Sequence, residues 1–131
     1  MSIYKKLPVY RKCYELTQYV EQCVASFNKK YKYTTGSELR ILLYKLLRFM
    51  SKLNRQPAQH RVAYLQVADG MLDDVEIQMT LCLDLKVFKS QKSWYHAAEM
   101  LHDIRLQIAK LENYFEGKKQ SSDSMKPSEV S

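Results

Sequence analysis

Glycine and proline are scarce, with three of each in 131 residues. A sandwich or barrel of many strands needs a turn about every 8–12 residues, and so few breakers exclude it. No uninterrupted apolar run approaches the roughly 18 residues of a membrane span, and no charged-then-apolar start marks a signal peptide. No Gly-rich phosphate loop is present, and no nucleophile or zinc constellation can be assembled from neighbouring residues. Cysteine is limited to Cys13, Cys23 and Cys82, an odd number at no metal-ligand spacing. All three fall on apolar stripes and are expected to be buried, reduced thiols acting as small hydrophobes. These absences predict a cytoplasmic chain that does not enter a membrane, with no cofactor and no metal.

What is present is ordinary globular material, 46% hydrophobic and 27% charged, enough for one domain and a tail. The charge is unevenly divided. Residues 1–55 carry 12 basic and 3 acidic groups, whereas residues 56–117 carry 6 basic and 9 acidic groups. The first half is a cation and the second a mild anion, a division that fits a polyanionic partner or an oppositely charged face of a neighbouring subunit. Solvated helix faces are the simplest alternative.

Four stretches share one period. Tyr10, Cys13, Thr17, Val20, Val24 and Phe27 step alternately by three and four, and Leu39, Leu43, Leu46, Met50 and Leu53 do the same. So do Leu65, Ala68, Leu72, Val75, Met79 and Cys82, and finally Ala97, Leu101, Ile104, Ile108, Leu111 and Phe115. Each set lines one face of an α-helix, and none alternates as a strand would. The fold class expected is all-α, an up-down-up-down four-helix bundle over residues 1–117, with a disordered polar tail over 118–131.

The breaks between stripes set the expected boundaries. Pro8 suits the first turn of a helix reaching to about Asn28. Lys29–Tyr33 is expected to connect, and Thr34, Thr35 and Ser37 are candidate caps around Gly36. Pro57 is expected to end the second helix and can open the third, which runs to about Val87 with Gly70 inside it. Ser90 or Ser93 caps the fourth helix, and Gly117 is placed to stop it.

Three groups of residues carry candidate chemistry. Glu99 and His102 stand at the Glu-x-x-His spacing that puts two metal ligands on one helical face. A di-iron bundle needs that motif twice, plus further inward carboxylates, and neither is found, so no enzyme is expected. Tyrosine outnumbers phenylalanine ten to four, and Tyr31 and Tyr33 are set among Lys29, Lys30 and Lys32. Interleaved cations and rings can neutralise phosphates while stacking on bases, or the two tyrosines can staple the helix connection. Arg40, Lys45, Arg48, Lys52 and Arg55 recur at intervals of 5, 3, 4 and 3. On one helix they would form a row roughly 22 Å long at 1.5 Å per residue, able to meet several phosphates.

Two segments carry a family resemblance. Tyr31-Lys-Tyr-Thr-Thr-Gly-Ser-Glu-Leu-Arg40, and Leu81-Cys-Leu-Asp-Leu-Lys86 followed by Trp94-Tyr95, resemble a family of small bacterial four-helix-bundle proteins. Helix order and lengths are similar over about residues 7–116. The family includes the proteins encoded in 23S ribosomal RNA intervening sequences and the accessory variability determinants of diversity-generating retroelements. The chain departs from the retroelement members at Thr80 and at Ala109-Lys110-Leu111. The resemblance implies a basic bundle assembling as a homopentamer, with nucleic acid and a reverse transcriptase as partners. The function expected is thus a nucleic-acid-binding accessory protein acting through Lys29, Lys30, Lys32, Arg40, Lys45, Arg48, Lys52 and Arg55. A protein-interaction bundle, its basic half meeting acidic partner surfaces, is the competing expectation.

Overall fold

Proline fixes the first turn. The computed structural model describes the backbone of residues 7–130 and the side chains of residues 7–118. Pro8 opens α1 (Pro8–Ala25), where its missing N–H costs nothing because a first-turn donor has no partner within the helix. α1 stops at Ala25, short of the expected end near Asn28. The Ser26 hydroxyl donates to the Cys23 carbonyl at 2.7 Å, and the Asn28 side-chain oxygen accepts the Lys30 N–H at 3.0 Å. That cap turns the expected connection into α2 (Lys29–Lys32), a single helical turn. Thr34 occupies the N-cap position of α3 (Thr35–Met50), but its hydroxyl donates back to the Lys30 carbonyl at 2.9 Å. It closes α2 and does not cap α3.

α3 ends at Met50, which corrects the expectation of a helix running to Arg55. The Ser51 hydroxyl donates to the Arg48 carbonyl at 2.6 Å, and the backbone tightens into a 3-10 turn over Leu53–Arg55. Leu53 keeps the inward place its spacing assigns it and is only 3% exposed. Gln56 is extended, as the residue before a proline prefers. A second 3-10 turn, Ala58–His60, separates Pro57 from α4 (Arg61–Asp84), so Pro57 does not itself open that helix. Arg61 fastens the connection: its guanidinium donates to the Gln56 and Asn54 carbonyls at 3.0 and 3.3 Å and lies 5.3 Å from the Phe115 ring.

α4 ends at Asp84 because Lys86 takes a left-handed φ of 58°. The Lys86 and Val87 N–H groups return to the Leu83 and Cys82 carbonyls at 3.0 and 3.1 Å. This is a Schellman ending, whose left-handed position usually falls to glycine. Ser90 is the serine that caps: its Oγ accepts the Ser93 N–H at 3.1 Å and opens α5 (Gln91–Val130). α5 is helical through Gly117, so the stop expected there is not made. The polar tail expected over 118–131 falls, apart from Lys118, on residues whose side chains lie outside the described residues.

Among the described residues all regular structure is helical. The four long helices pack against one another, α1 against α3 and α5, and α4 against the same two. Burial follows the stripes, from Cys13, Val20 and Val24 through Leu43, Leu72 and Met79 to Ile104 and Ile108. Leu111 and Phe115 pack at the edge of that core. Val9, Val87 and Phe88 join it from outside the stripes. Phe88 meets Phe27 edge-on at 5.2 Å between ring centroids, drawing the α4–α5 connection onto the α1–α2 connection. No helix among the described residues is long and apolar enough to cross a membrane.

Candidate nucleic-acid interface

α2 is a single turn with no fully buried residue. Lys29 and Lys30 are exposed and Lys32 is half-buried. Lys30 Nζ stands 5.5 Å from the Tyr31 ring and Lys32 Nζ 5.8 Å from the Tyr33 ring. The two tyrosines divide the roles expected of them. Tyr31 packs against the core, as a staple would, whereas Tyr33 is 66% exposed.

The cationic row does not survive as one line on one helix. Lys45 and Arg48 are exposed on the outward ridge of α3 beside Ile41. Lys52 and Arg55 are exposed as well, but they stand beyond Met50 in the turn that follows the helix. Arg40 is occupied elsewhere: its Nε donates to the Glu21 carboxylate at 3.0 Å and to the Tyr44 hydroxyl at 3.4 Å. The Tyr44 hydroxyl donates to the same Glu21 oxygen. The Tyr44 hydroxyl first, and Glu21 second, hold the Arg40 guanidinium above its ordinary range. Arg40 is therefore a clamp between α1 and α3 whose charge is met within the chain. Lys29, Lys30, Lys32, Lys45, Arg48 and Lys52 make no ion pair among the described residues.

A second lysine group escapes the sequence reading. Lys86, Lys89 and Lys92 are exposed in and just after the α4–α5 connection. The Phe27–Phe88 contact brings that connection to the same end of the molecule as α2. The signal available in sequence is Phe88 itself, an aromatic between two lysines that needs a buried partner. A cleft of about 570 Å³ lies there, lined by Leu83, Asp84, Lys86, Phe88, Lys89, Ser90 and Gln91.

The remaining candidate residues do not gather into a chemical site. Glu99 and His102 are both exposed and line the outer side of α5 with Tyr95 and Asp103. An inward metal pair needs the opposite face. Cys13 and Cys82 are buried, and burial pushes their thiols up to about 12 and about 11. Cys23 is half-buried, which corrects the expectation that all three are fully enclosed. Its position on α1 lies toward the edge of the stripe, and it interacts there with Tyr19.

Acidic groups concentrate between α4 and α5. Arg105 donates to Asp73 at 2.9 Å and lies 3.4 Å from Glu76. Glu112 sits against Asp69, and the hydrogen bond between the two carboxyls, with burial, pushes Glu112 up to about 7. The outward side of α4 also exposes Val67, Ile77 and Leu81, with Leu85 exposed just past its end. Comparison of the chain with protein-family models and with curated proteins finds no match.

Proposed function

We propose that the chain is a non-enzymatic nucleic-acid-binding accessory protein that neutralises backbone phosphates with little readout of base sequence. One observation carries the reading. Six of the eight expected cations, all but Arg40 and Arg55, have no carboxylate partner among the described residues, five of them exposed and Lys32 half-buried. Each neutralised phosphate releases counterions, so such a surface gains most from a polyanion.

The reading includes an up-down-up-down course for the four long helices. Support comes from cross-links between helices: Glu21, late in α1, meets Arg40, early in α3. Tyr64, early in α4, donates to the Phe49 carbonyl late in α3 at 2.7 Å, and Gln78, late in α4, donates to the Thr35 carbonyl at 3.0 Å. Trp94, early in α5, donates to the Met79 carbonyl late in α4 at 2.8 Å.

The reading also includes self-assembly, and the resemblance makes a pentamer and a reverse-transcriptase partner part of it. Ile77 and Leu81 at the outward end of α4, with Leu85 just past it, support assembly, since neighbouring exposed apolar residues mark contact surfaces. The second reading, a protein-interaction bundle whose basic half meets acidic partner surfaces, draws on the same unpaired lysines, and the exposed apolar residues of α4 favour it.

The test is Arg48→Glu combined with Lys52→Glu. Both positions are exposed, so folding should change by no more than about 0.5 kcal/mol. Binding should weaken for every nucleic acid tried, and the log–log salt slope should flatten. A folded, assembled double variant that binds as tightly with an unchanged slope would remove this ridge from the interface.

A further inference from the structure

Phe27 and Phe88 fasten two connections that are far apart in sequence, and each connection is rich in lysine. Residues 26–38 and 84–93 together hold six lysines, Lys29, Lys30, Lys32, Lys86, Lys89 and Lys92, against the carboxylates of Glu38 and Asp84. None of the six lysines makes an ion pair among the described residues. One further contact ties the first segment to α4: Gln78 reaches the Thr35 carbonyl at 3.0 Å. Within that segment Gly36 packs against Phe27 and the Tyr31 carbonyl. The cleft beside Lys86 and Lys89 opens at this end.

We infer that this end of the bundle is a binding site for single-stranded nucleic acid, with Lys86 and Lys89 joining the α2 lysines on the phosphates and Tyr33 offering a ring to an unpaired base. The inference rests on the nucleic-acid reading above and moves its centre from the α3 ridge to the lysine end. Two features select a single strand over a duplex. The Tyr33 ring is 66% exposed with Lys32 close to it. A ring so placed can stack only on a base whose face is free, and in a duplex those faces are already stacked on one another. Lysine contributes compact, freely rotating charges that follow a flexible backbone without demanding one geometry.

Lys86 also provides a control that separates binding from folding. It holds a left-handed φ of 58°, which glycine adopts at no steric cost. Lys86→Gly therefore removes a charge while relieving the backbone.

The experiment measures fluorescence anisotropy of labelled oligothymidylate, and of a duplex of equal length, with the full chain over a range of salt. Lys86→Gln with Lys89→Gln should weaken single-strand binding about tenfold or more at low salt. It should also reduce the log–log slope by about 1.4, two phosphates at about 0.7 each. Tyr33→Leu should weaken single-strand binding about fivefold or more and leave duplex binding alone. Lys86→Gly should melt higher than the parent and still bind more weakly.

If the lysine pair changes nothing while Lys45→Gln with Arg48→Gln weakens binding, the lysine end is overturned and the nucleic-acid reading stands on α3. Absence of binding by the unmutated chain at low salt defeats both. Polyglutamate competing as well as unlabelled oligothymidylate, or equal loss of single-strand and duplex binding in Tyr33→Leu, overturns the assignment to single strands.

Discussion

At the scale of single residues, Gly36 and Gly70 make opposite demands. A Cβ on Gly36 would stand 2.9 Å from both Phe27 Cδ2 and Val24 Cγ1 and 3.1 Å from the Tyr31 carbonyl oxygen. Gly36 is thus what lets the first turn of α3 lie against the end of α1, and Gly36→Ala should cost about 1–3 kcal/mol through overpacking. A Cβ on Gly70 meets nothing within 4 Å, so Gly70→Ala on the exposed side of α4 should stabilise by about 0.5–1 kcal/mol. Thermal melting of the two variants checks the contrast, and shifts of the same sign would contradict it. Glu112 makes stability depend on pH. Its folded-state value is raised to about 7 from 4.5, chiefly by the hydrogen bond to Asp69, so folding favours its protonated form. That contribution is fully present below about 4.5 and is lost as pH rises through about 7. Melting temperature followed across this window should fall more steeply with rising pH in the parent than in Glu112→Gln, and parallel profiles would refute the coupling.

At the scale of elements, the periodic stripes were the most legible part of the sequence. Every residue from Leu65 to Cys82 assigned to the third stripe is buried, because a three-four alternation leaves a helix only one face to hide. Helix ends were harder to read, and each miss has a local cause. α3 stops before Lys52, where the Ser51 hydroxyl returns to the Arg48 carbonyl and the chain tightens into the Leu53–Arg55 turn ahead of Pro57. α2 forms because the Asn28 side chain captures a backbone donor. α4 ends on a left-handed lysine where pattern reading looks for glycine. α4 carries a further lesson, since Ile77 and Leu81 lie opposite the core stripe and only burial separates the two apolar faces. Ile77 is 67% exposed, so Ile77→Asp should leave the fold within about 0.5 kcal/mol of the parent. Light scattering should give the parent a mass several times 15.5 kDa and the variant a smaller one. A monomeric parent, or a variant of unchanged mass, would contradict assembly through α4.

At the scale of the whole molecule, the uneven charge of the two halves was legible by counting, but its arrangement was not. Arg40 counts as a free cation in sequence, yet Glu21 and Tyr44 already meet it. Lys86 and Lys89 lie in the half that is acidic overall, yet they share an end of the bundle with Lys29 and Lys30. Spacing along one helix cannot reveal either fact, because both are made by packing between distant segments. The central claim is that these surface cations exist to meet phosphate. Its most direct test is the affinity of the unmutated full chain for a labelled single-stranded oligonucleotide, measured at several salt concentrations. Binding is expected at low salt, declining linearly on a log–log plot with a slope of about −3 or steeper, equivalent to four or more phosphates at about −0.7 each. No binding at low salt, or an affinity indifferent to salt, would contradict it.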